Sequence, residues 1–257
     1  MVKLIGVSTY VLFDKSLGVA LYKFREFPLD FVEIMNEGYH LLDKYNYKLH
    51  LESLESYGMK NVIHAPFSDL NIGALNEKLR RVTLEIIFET LEIAHEMGSL
   101  LVVLHPGHYS PLSSKFPKAY EKVHKRSLEE IDRVAEKIGI KVALENMPKF
   151  PILDGQTAER IYELIDGTNL YVTFDVGHLY TVTKNYIEFL ELLGDRIIHI
   201  HLHDNNGESD SHLALGDGVI PWDDVLKVLP KDITWSLEVR SLDDFKKSFE
   251  FLKSYLK

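Results

Sequence analysis

Histidine, aspartate and glutamate stand at the ends of six short apolar runs in this 257-residue chain. The six residues are His64, His105, Glu145, Asp175, His201 and Glu238. The loop after the seventh run adds Asp210 and His212, an Asp-x-His pair. If the runs are strands of one parallel barrel, their carboxyl ends meet at one mouth, and so many carboxylates and imidazoles there require divalent cations. Because the chain has no cysteine, histidine and carboxylate must supply the ligands, and this nitrogen-rich mixture favours zinc or manganese over magnesium.

Two of the runs leave the choice of functional side chain open. His199, His201 and His203 alternate along the seventh run, so all three can face the same side of a strand. We choose His201 as the metal ligand and expect His199 to fill the barrel lower down, with His203 as the alternative ligand. Glu33, near the end of the second run, is either a substrate contact or a solvated or hydrogen-bonded carboxylate.

The elements that must position these residues follow from an alternation of apolar runs and amphipathic stretches, which is typical of βα units around a parallel sheet. The predicted strands cover residues 3–8, 30–35, 60–65, 100–105, 141–146, 170–175, 196–203 and 234–239. The clearest predicted helices cover residues 76–97, 118–138, 157–165, 186–193 and 242–256. Gly98 and Gly139 follow two of them as C-terminal caps.

Eight βα units in about 250 residues are the size of one closed (β/α)8 TIM barrel. No linker or low-complexity tract divides the chain, so we predict a single barrel domain over residues 1–257. An open doubly wound sheet is the competing architecture. It usually carries a glycine-rich loop after the first strand, where this chain has Ser8-Thr9-Tyr10-Val11.

Charge and hydropathy argue against several classes of protein. Lysine plus arginine number 29 against 39 aspartates plus glutamates, and the net charge of −10 disfavours a broad basic surface for nucleic acid unless bound cations offset it. The chain has no run of eighteen apolar residues, so no membrane-spanning helix is expected. The apolar N-terminal stretch lacks a cleavage site and is predicted to be a strand rather than a signal peptide. We therefore expect a soluble, cytoplasmic protein, and the sequence indicates no obligate protein partner.

Short motifs along nearly the whole chain resemble the xylose isomerase-like TIM-barrel superfamily (AP endonuclease family 2), in the branch shared by endonuclease IV and the sugar-phosphate isomerases and epimerases. The motifs are His-Ala-Pro-Phe, Leu-His-Pro-Gly, Glu-Asn, Asp-x-x-His, His-x-x-Asp, and Asp-x-His followed by Gly-Asp-Gly. The resemblance to endonuclease IV implies that nine residues hold up to three zinc ions. The three implied groups are His64, His105 and Glu145; Glu145, Asp175, His201 and Glu238; and His178, Asp210 and His212.

The resemblance implies two activities. The nine-residue set favours phosphoester hydrolysis, for example at abasic sites in DNA, with Glu145 bridging two metals and His212 supporting the third beside the leaving oxygen. The alternative is a sugar or sugar-phosphate isomerase or epimerase that uses one metal at the second group, with Glu145 and Glu238 moving protons. Residues 35–39 favour this alternative, because they lack the basic side chains with which endonuclease IV enters DNA. A metal-binding protein without enzymatic activity is the third hypothesis.

Overall fold

Eight parallel strands close into a barrel in the computed structural model, which describes residues 4–255. The strands are β1 (Leu4–Ser8), β2 (Phe31–Met35), β3 (Lys60–His64), β4 (Val102–Leu104), β5 (Val142–Glu145), β6 (Tyr171–Asp175), β7 (Ile197–Leu202) and β8 (Thr234–Leu237). They follow one another in chain order, and β1 pairs in parallel with both β2 and β8. The predicted fold class is therefore confirmed. The predicted strands differ from these by at most two residues at either end, and the predicted start at Lys3 lies outside the described residues. That residues 1–257 form a single domain stays a prediction.

Nine α-helices surround the barrel in the described part of the chain. They are α1 (Leu17–Phe24), α2 (Tyr47–Tyr57), α3 (Glu77–Glu96), α4 (Pro117–Ile138), α5 (Ala158–Ile165), α6 (Val176–Val182), α7 (Tyr186–Leu193), α8 (Trp222–Val228) and α9 (Leu242–Tyr255). The five predicted helices correspond to α3, α4, α5, α7 and α9, while the predicted end at Leu256 lies outside the described residues. Gly139 caps α4 in the left-handed conformation, as predicted. Between residues 4 and 255, no helix has both the length and the apolarity to cross a membrane.

The barrel wall separates two apolar cores. The larger core lies between the strands and the helices, and the smaller one fills the barrel interior with Phe31, Val62, Leu101, Val103 and Ala143. Gly6 leaves room for the Phe31 ring, because a Cβ atom at this position would collide with it. This inner plug closes the lower part of the barrel. The polar residues at the strand ends therefore lie above an apolar floor.

The pairing of β7 with β6 contains a register shift. Val172 pairs with Ile197, but the next residue, Thr173, pairs with His199. One residue of β7, Ile198, therefore has no partner on β6, and its side chain packs against the inner plug. Beyond the shift, the regular alternation of side chains directs His199 and His201 to the barrel interior.

Candidate metal centre

The second predicted ligand group, which we call the tetrad, lies at the carboxyl ends of β5 to β8. It consists of Glu145, Asp175, His201 and Glu238, each at most 4% exposed. The Nδ1 atom of His201 is 3.1 Å from Glu145 Oε1 and 3.3 Å from Glu238 Oε2. Asp175 Oδ2 lies 3.6 Å from the same nitrogen. One candidate ligand atom from each residue falls within 4.8 Å of all the others, so the tetrad can surround a single cation.

Asp175 gives an independent indication that the tetrad suits a metal. Its Oδ1 atom accepts the backbone N–H of His178 at the start of α6 and lies 3.1 Å from His203 Nε2. Its Oδ2 atom is buried and has no hydrogen-bond partner among residues 4–255. A buried carboxylate oxygen without a partner costs free energy, and a bound cation would remove that cost. The donor set of three carboxylates and one imidazole therefore fits a divalent ion such as zinc or manganese.

The first predicted ligand group lies beside the tetrad and shares Glu145 with it. His64 Nε2 and His105 Nε2 lie 3.3 and 3.1 Å from Glu145 Oε2, the oxygen that does not face His201. His64 Nδ1 donates to the carbonyl of Ala65 at 2.9 Å, which leaves the Nε2 lone pair of the neutral ring free for a ligand. Glu145 thus joins the two groups through its two oxygens, which is the arrangement that the predicted bridging role requires.

The third predicted ligand group includes a residue that the sequence analysis assigned elsewhere. Asp210 Oδ2 lies 3.3 Å from His178 Nε2 and 3.1 Å from His212 Nε2. His203 Nε2 lies 3.6 Å from Asp210 Oδ1, and these four residues form one candidate metal site. We call them the loop group. His203 is therefore not an alternative to His201, because the two imidazoles belong to different groups. The alternating histidines were the available signal, but alternation fixes only the side of the strand and not which carboxylates each imidazole meets.

Glu33 is not solvated. Among the described residues, it also does not line the cavity that opens above the tetrad. It is fully buried inside the barrel, with its carboxylate against His199 and His201. The hydrogen-bonded alternative for this residue therefore describes it correctly. His199 lies below His201, as predicted, but it contacts Glu33 rather than only filling space.

The loop that supplies Asp210 and His212 is held by one buried carboxylate, that of Asp204. It accepts hydrogen bonds from the backbone of Gly216 at 3.0 Å and Ile220 at 3.2 Å, and from Trp222 Nε1 at 2.8 Å. His212 itself has φ = 44°, and no other non-glycine residue between positions 4 and 255 has a positive φ. This left-handed backbone is strained in a histidine and points to a functional constraint on the loop.

Opposite charges shift the pKa values within the tetrad. Burial disfavours the charged imidazole of His201, but the carboxylates of Glu33, Glu145 and Glu238 outweigh burial and raise its pKa well above the ordinary value. Burial likewise disfavours ionised Glu145, yet His201 and His105 hold the pKa of this carboxyl well below its ordinary value. Glu145 is therefore an anion at neutral pH, as a metal-binding carboxylate must be.

A cavity of about 360 Å³ opens above the tetrad and the first group. Its wall combines Glu145, Glu238 and several histidines with the apolar side chains of Phe13, Phe67 and Met147. None of the described residues that line it is a lysine or an arginine. The Phe67 ring lies 4.2 Å from the His105 ring, between centroids. The cavity has the size of a small-molecule site, and the only basic side chains in its described lining are histidines.

Comparisons with known proteins agree with this geometry. The profile of the xylose isomerase-like TIM-barrel family matches residues 21–255. A solved D-tagatose 3-epimerase-like protein is 40% identical, with a TM-score of 0.92 over 98% of this chain and 96% of that one. Fructoselysine 3-epimerase of Escherichia coli O157:H7 is 24% identical over 188 residues, 70% of this chain and 65% of that protein. Endonuclease IV of Thermus thermophilus has a TM-score of 0.73 at 22% identity, covering 98% of each chain, which shows a shared fold.

Proposed function

Because the chain belongs to the xylose isomerase-like TIM-barrel family, we propose that it is a metal-dependent sugar epimerase or isomerase whose divalent ion, zinc or manganese, is held by the tetrad. The observation that carries this proposal is the convergence of Glu145 and Glu238 on one imidazole nitrogen of His201, beneath a cavity of small-molecule size. The 40% identity to a D-tagatose 3-epimerase-like protein supports the proposal.

The proposed chemistry inverts a carbon next to a carbonyl group. A divalent ion in the tetrad would polarise the oxygens of the sugar and so acidify the adjacent C–H bond. One of the two glutamates, Glu145 or Glu238, takes the proton from this carbon, and the bonding electrons move into an enediolate. The other glutamate, in its acid form, delivers a proton to the opposite face. The carbon is then inverted, and the two carboxyl groups have exchanged protonation states.

The cavity favours an unphosphorylated sugar as substrate. Phosphate groups are usually recognised by arginine, lysine or helix N-termini, and the described lining contains neither of these two basic residues. The carboxylates of Glu37 and Asp210 line it instead. Apolar side chains such as Phe67 and Met147 can cover the C–H face of a sugar, while the carboxylates and imidazoles bind its hydroxyls.

Phosphoester hydrolysis with three metals is the second candidate, and it was the leading hypothesis from sequence. The nine-residue set favours it, because these side chains gather into three groups around Glu145 and Asp210. The lining without lysine or arginine, and the epimerase among the relatives, favour the sugar reaction. The loop after β2 also argues against DNA binding, because residues 35–39 contain no lysine or arginine and their one charged side chain is the carboxylate of Glu37.

The test is an assay of the purified protein, supplied with zinc or manganese, on free ketoses, ketose phosphates and a duplex containing an abasic site. We expect epimerisation of a free ketose with incorporation of deuterium from heavy water at the inverted carbon, and loss of both in Glu238→Gln. Strand cleavage without epimerisation would contradict the proposal. Elemental analysis adds a second readout, since three ions per chain favour the hydrolase and one favours the epimerase.

A further inference from the structure

Two fully buried ionisable side chains, Glu33 and His199, form a column directly beneath His201 of the tetrad. Glu33 on β2 places Oε1 2.9 Å from His201 Nε2 and Oε2 3.3 Å from His199 Nε2. At the lower end, His199 Nδ1 lies 2.6 Å from Thr234 Oγ1. The column thus runs from the apolar plug to the imidazole that carries Nδ1 into the tetrad.

We infer that Glu33 is a positioning residue for metal binding, because it fixes the tautomer and the orientation of the His201 ring. The inference rests on the tetrad as the metal site of the proposed function. An ionised carboxylate only accepts hydrogen bonds, so the Nε2 atom of His201 must carry the hydrogen that Glu33 receives. In a neutral ring the lone pair then lies on Nδ1, the atom that faces Glu145, Asp175 and Glu238. A carboxylate behind a ligating histidine also raises the basicity of that ligand.

The lower part of the column holds Glu33 in place. Because an ionised carboxylate only accepts hydrogen bonds, the neutral ring of His199 carries its hydrogen on Nε2, and its Nδ1 atom accepts the hydroxyl hydrogen of Thr234 at 2.6 Å. His199 is therefore held by Thr234 of β8 and contacts the second oxygen of Glu33. Both carboxylate oxygens thus have a partner, and the side chain has no freedom to rotate away from His201. These two contacts stabilise the buried charge of Glu33, which would otherwise cost free energy of folding.

A purely structural role and the positioning role make different predictions for Glu33→Gln. This variant keeps the shape of the side chain but loses its charge, and its amide can turn NH2 towards His201. The amide group would then favour the opposite tautomer, with hydrogen on Nδ1 towards the tetrad. A structural role predicts only lower stability. The positioning role predicts weaker metal binding by protein that remains folded.

The matched control is Asp30→Asn, which also neutralises a carboxylate beside β2. Asp30 Oδ2 accepts the backbone N–H of Ile5 at 2.8 Å, at the opposite end of the barrel from the tetrad. Manganese and zinc affinities are measured by competition with a chromophoric chelator on wild type and both variants. We expect the affinity to fall about 10- to 100-fold in Glu33→Gln and to stay unchanged in Asp30→Asn. In ¹⁵N-histidine NMR spectra, metal-loaded wild type should show His201 protonated at Nε2.

The outcomes separate this inference from the proposed function. Equal affinities in wild type and Glu33→Gln, or a His201 protonated at Nδ1 in metal-loaded wild type, would overturn the positioning role. The wild-type spectrum decides even if Glu33→Gln does not fold. Tight metal binding without any epimerase activity would refute the sugar reaction and leave the role of Glu33 intact. Wild type that binds no metal at all would overturn both.

Discussion

The tetrad and the loop group use the same kinds of side chain, but the chain holds them in different ways. The tetrad residues stand on or directly after barrel strands and are almost fully buried. In the loop group, the Asp210 side chain is 28% exposed and His212 has a strained backbone. Strand ends are fixed by the hydrogen bonds of the whole barrel, whereas a loop depends on a few local anchors. We therefore expect the tetrad to tolerate distant changes that the loop group does not.

The largest expected effect comes from Glu145, which the tetrad and the first group share. Glu145→Gln removes the anion that faces His64, His105 and His201, and it removes a proton carrier. We expect a fall in the rate of epimerisation of about 10²- to 10⁴-fold, together with loss of the tetrad metal. Asp30→Asn serves as the control for carboxylate neutralisation. Undiminished turnover in Glu145→Gln would show that proton transfer takes place elsewhere.

The anchor of the loop group gives the next largest effect. Asp204→Ala leaves the donors of Gly216, Ile220 and Trp222 without their acceptor, the last two of them buried, and we expect a loss of about 3 kcal/mol in the free energy of unfolding. Metal binding at the loop group should weaken while the tetrad keeps its affinity. Urea unfolding and metal titration measure the two effects. An equal loss of affinity at both sites would contradict the distinction between strand-held and loop-held ligands.

A smaller effect isolates the strain at His212. The variants His212→Gly and His212→Ala both remove the imidazole, but only glycine accepts φ = 44° without a Cβ clash. The glycine variant should therefore be about 1 kcal/mol more stable than the alanine variant. The comparison of their unfolding free energies needs no assumption about metal. If the alanine variant is as stable as the glycine variant, the backbone at this position is not strained.

The last expected effect concerns another anchoring carboxylate, that of Asp154, on the other side of the mouth. Asp154 accepts from Arg160 and His124, and His124 Nε2 accepts the backbone N–H of Gly107, two residues beyond His105. Burial disfavours the ionised carboxyl, but Arg160 and His124 outweigh burial and hold the pKa of Asp154 below its ordinary value of 3.8.

The sign of the pH effect follows from that shift. Because the folded pKa is the lower one, the stabilisation is complete above the ordinary pKa and is lost as the pH falls below it. Asp154→Asn should lower the melting temperature at pH 7 but make it less sensitive to acid below about pH 4. Melting curves of both proteins at neutral pH and near pH 3 test this expectation. Parallel acid curves for wild type and variant would contradict it.

The sequence was informative where local pattern and barrel geometry coincide. Apolar runs that end in His64, Glu145 or Asp175 predict a polar mouth, because all strands of a closed barrel end on the same side. That His201 and His203 belong to two different ligand groups could not be predicted, since alternation does not say which carboxylate each imidazole meets. The contact of Glu33 with His199 and His201 joins residues that are 166 and 168 positions apart, and no local pattern reports it.

The shortest α-helices were also not predicted from the sequence, but for a different reason. The helices α6 and α8 have only seven residues each, which is too short for a hydrophobic period to stand out. Helix α6 begins directly after Asp175, so a tetrad residue is at the same time the N-cap of a helix. The sequence does not show that Asp175 has both roles, because they depend on the path of the chain after β6.

The register shift on β7 decides which side of the barrel wall the histidines face. Ile197, just before the shift, packs in the outer core against the helices. Simple alternation from Ile197 would turn His199 and His201 outwards as well, and aliphatic side chains would face the cavity in their place. The single additional residue, Ile198, reverses this order. A one-residue insertion in a strand is thus enough to separate a barrel with an ordinary apolar interior from one whose interior can carry metal chemistry.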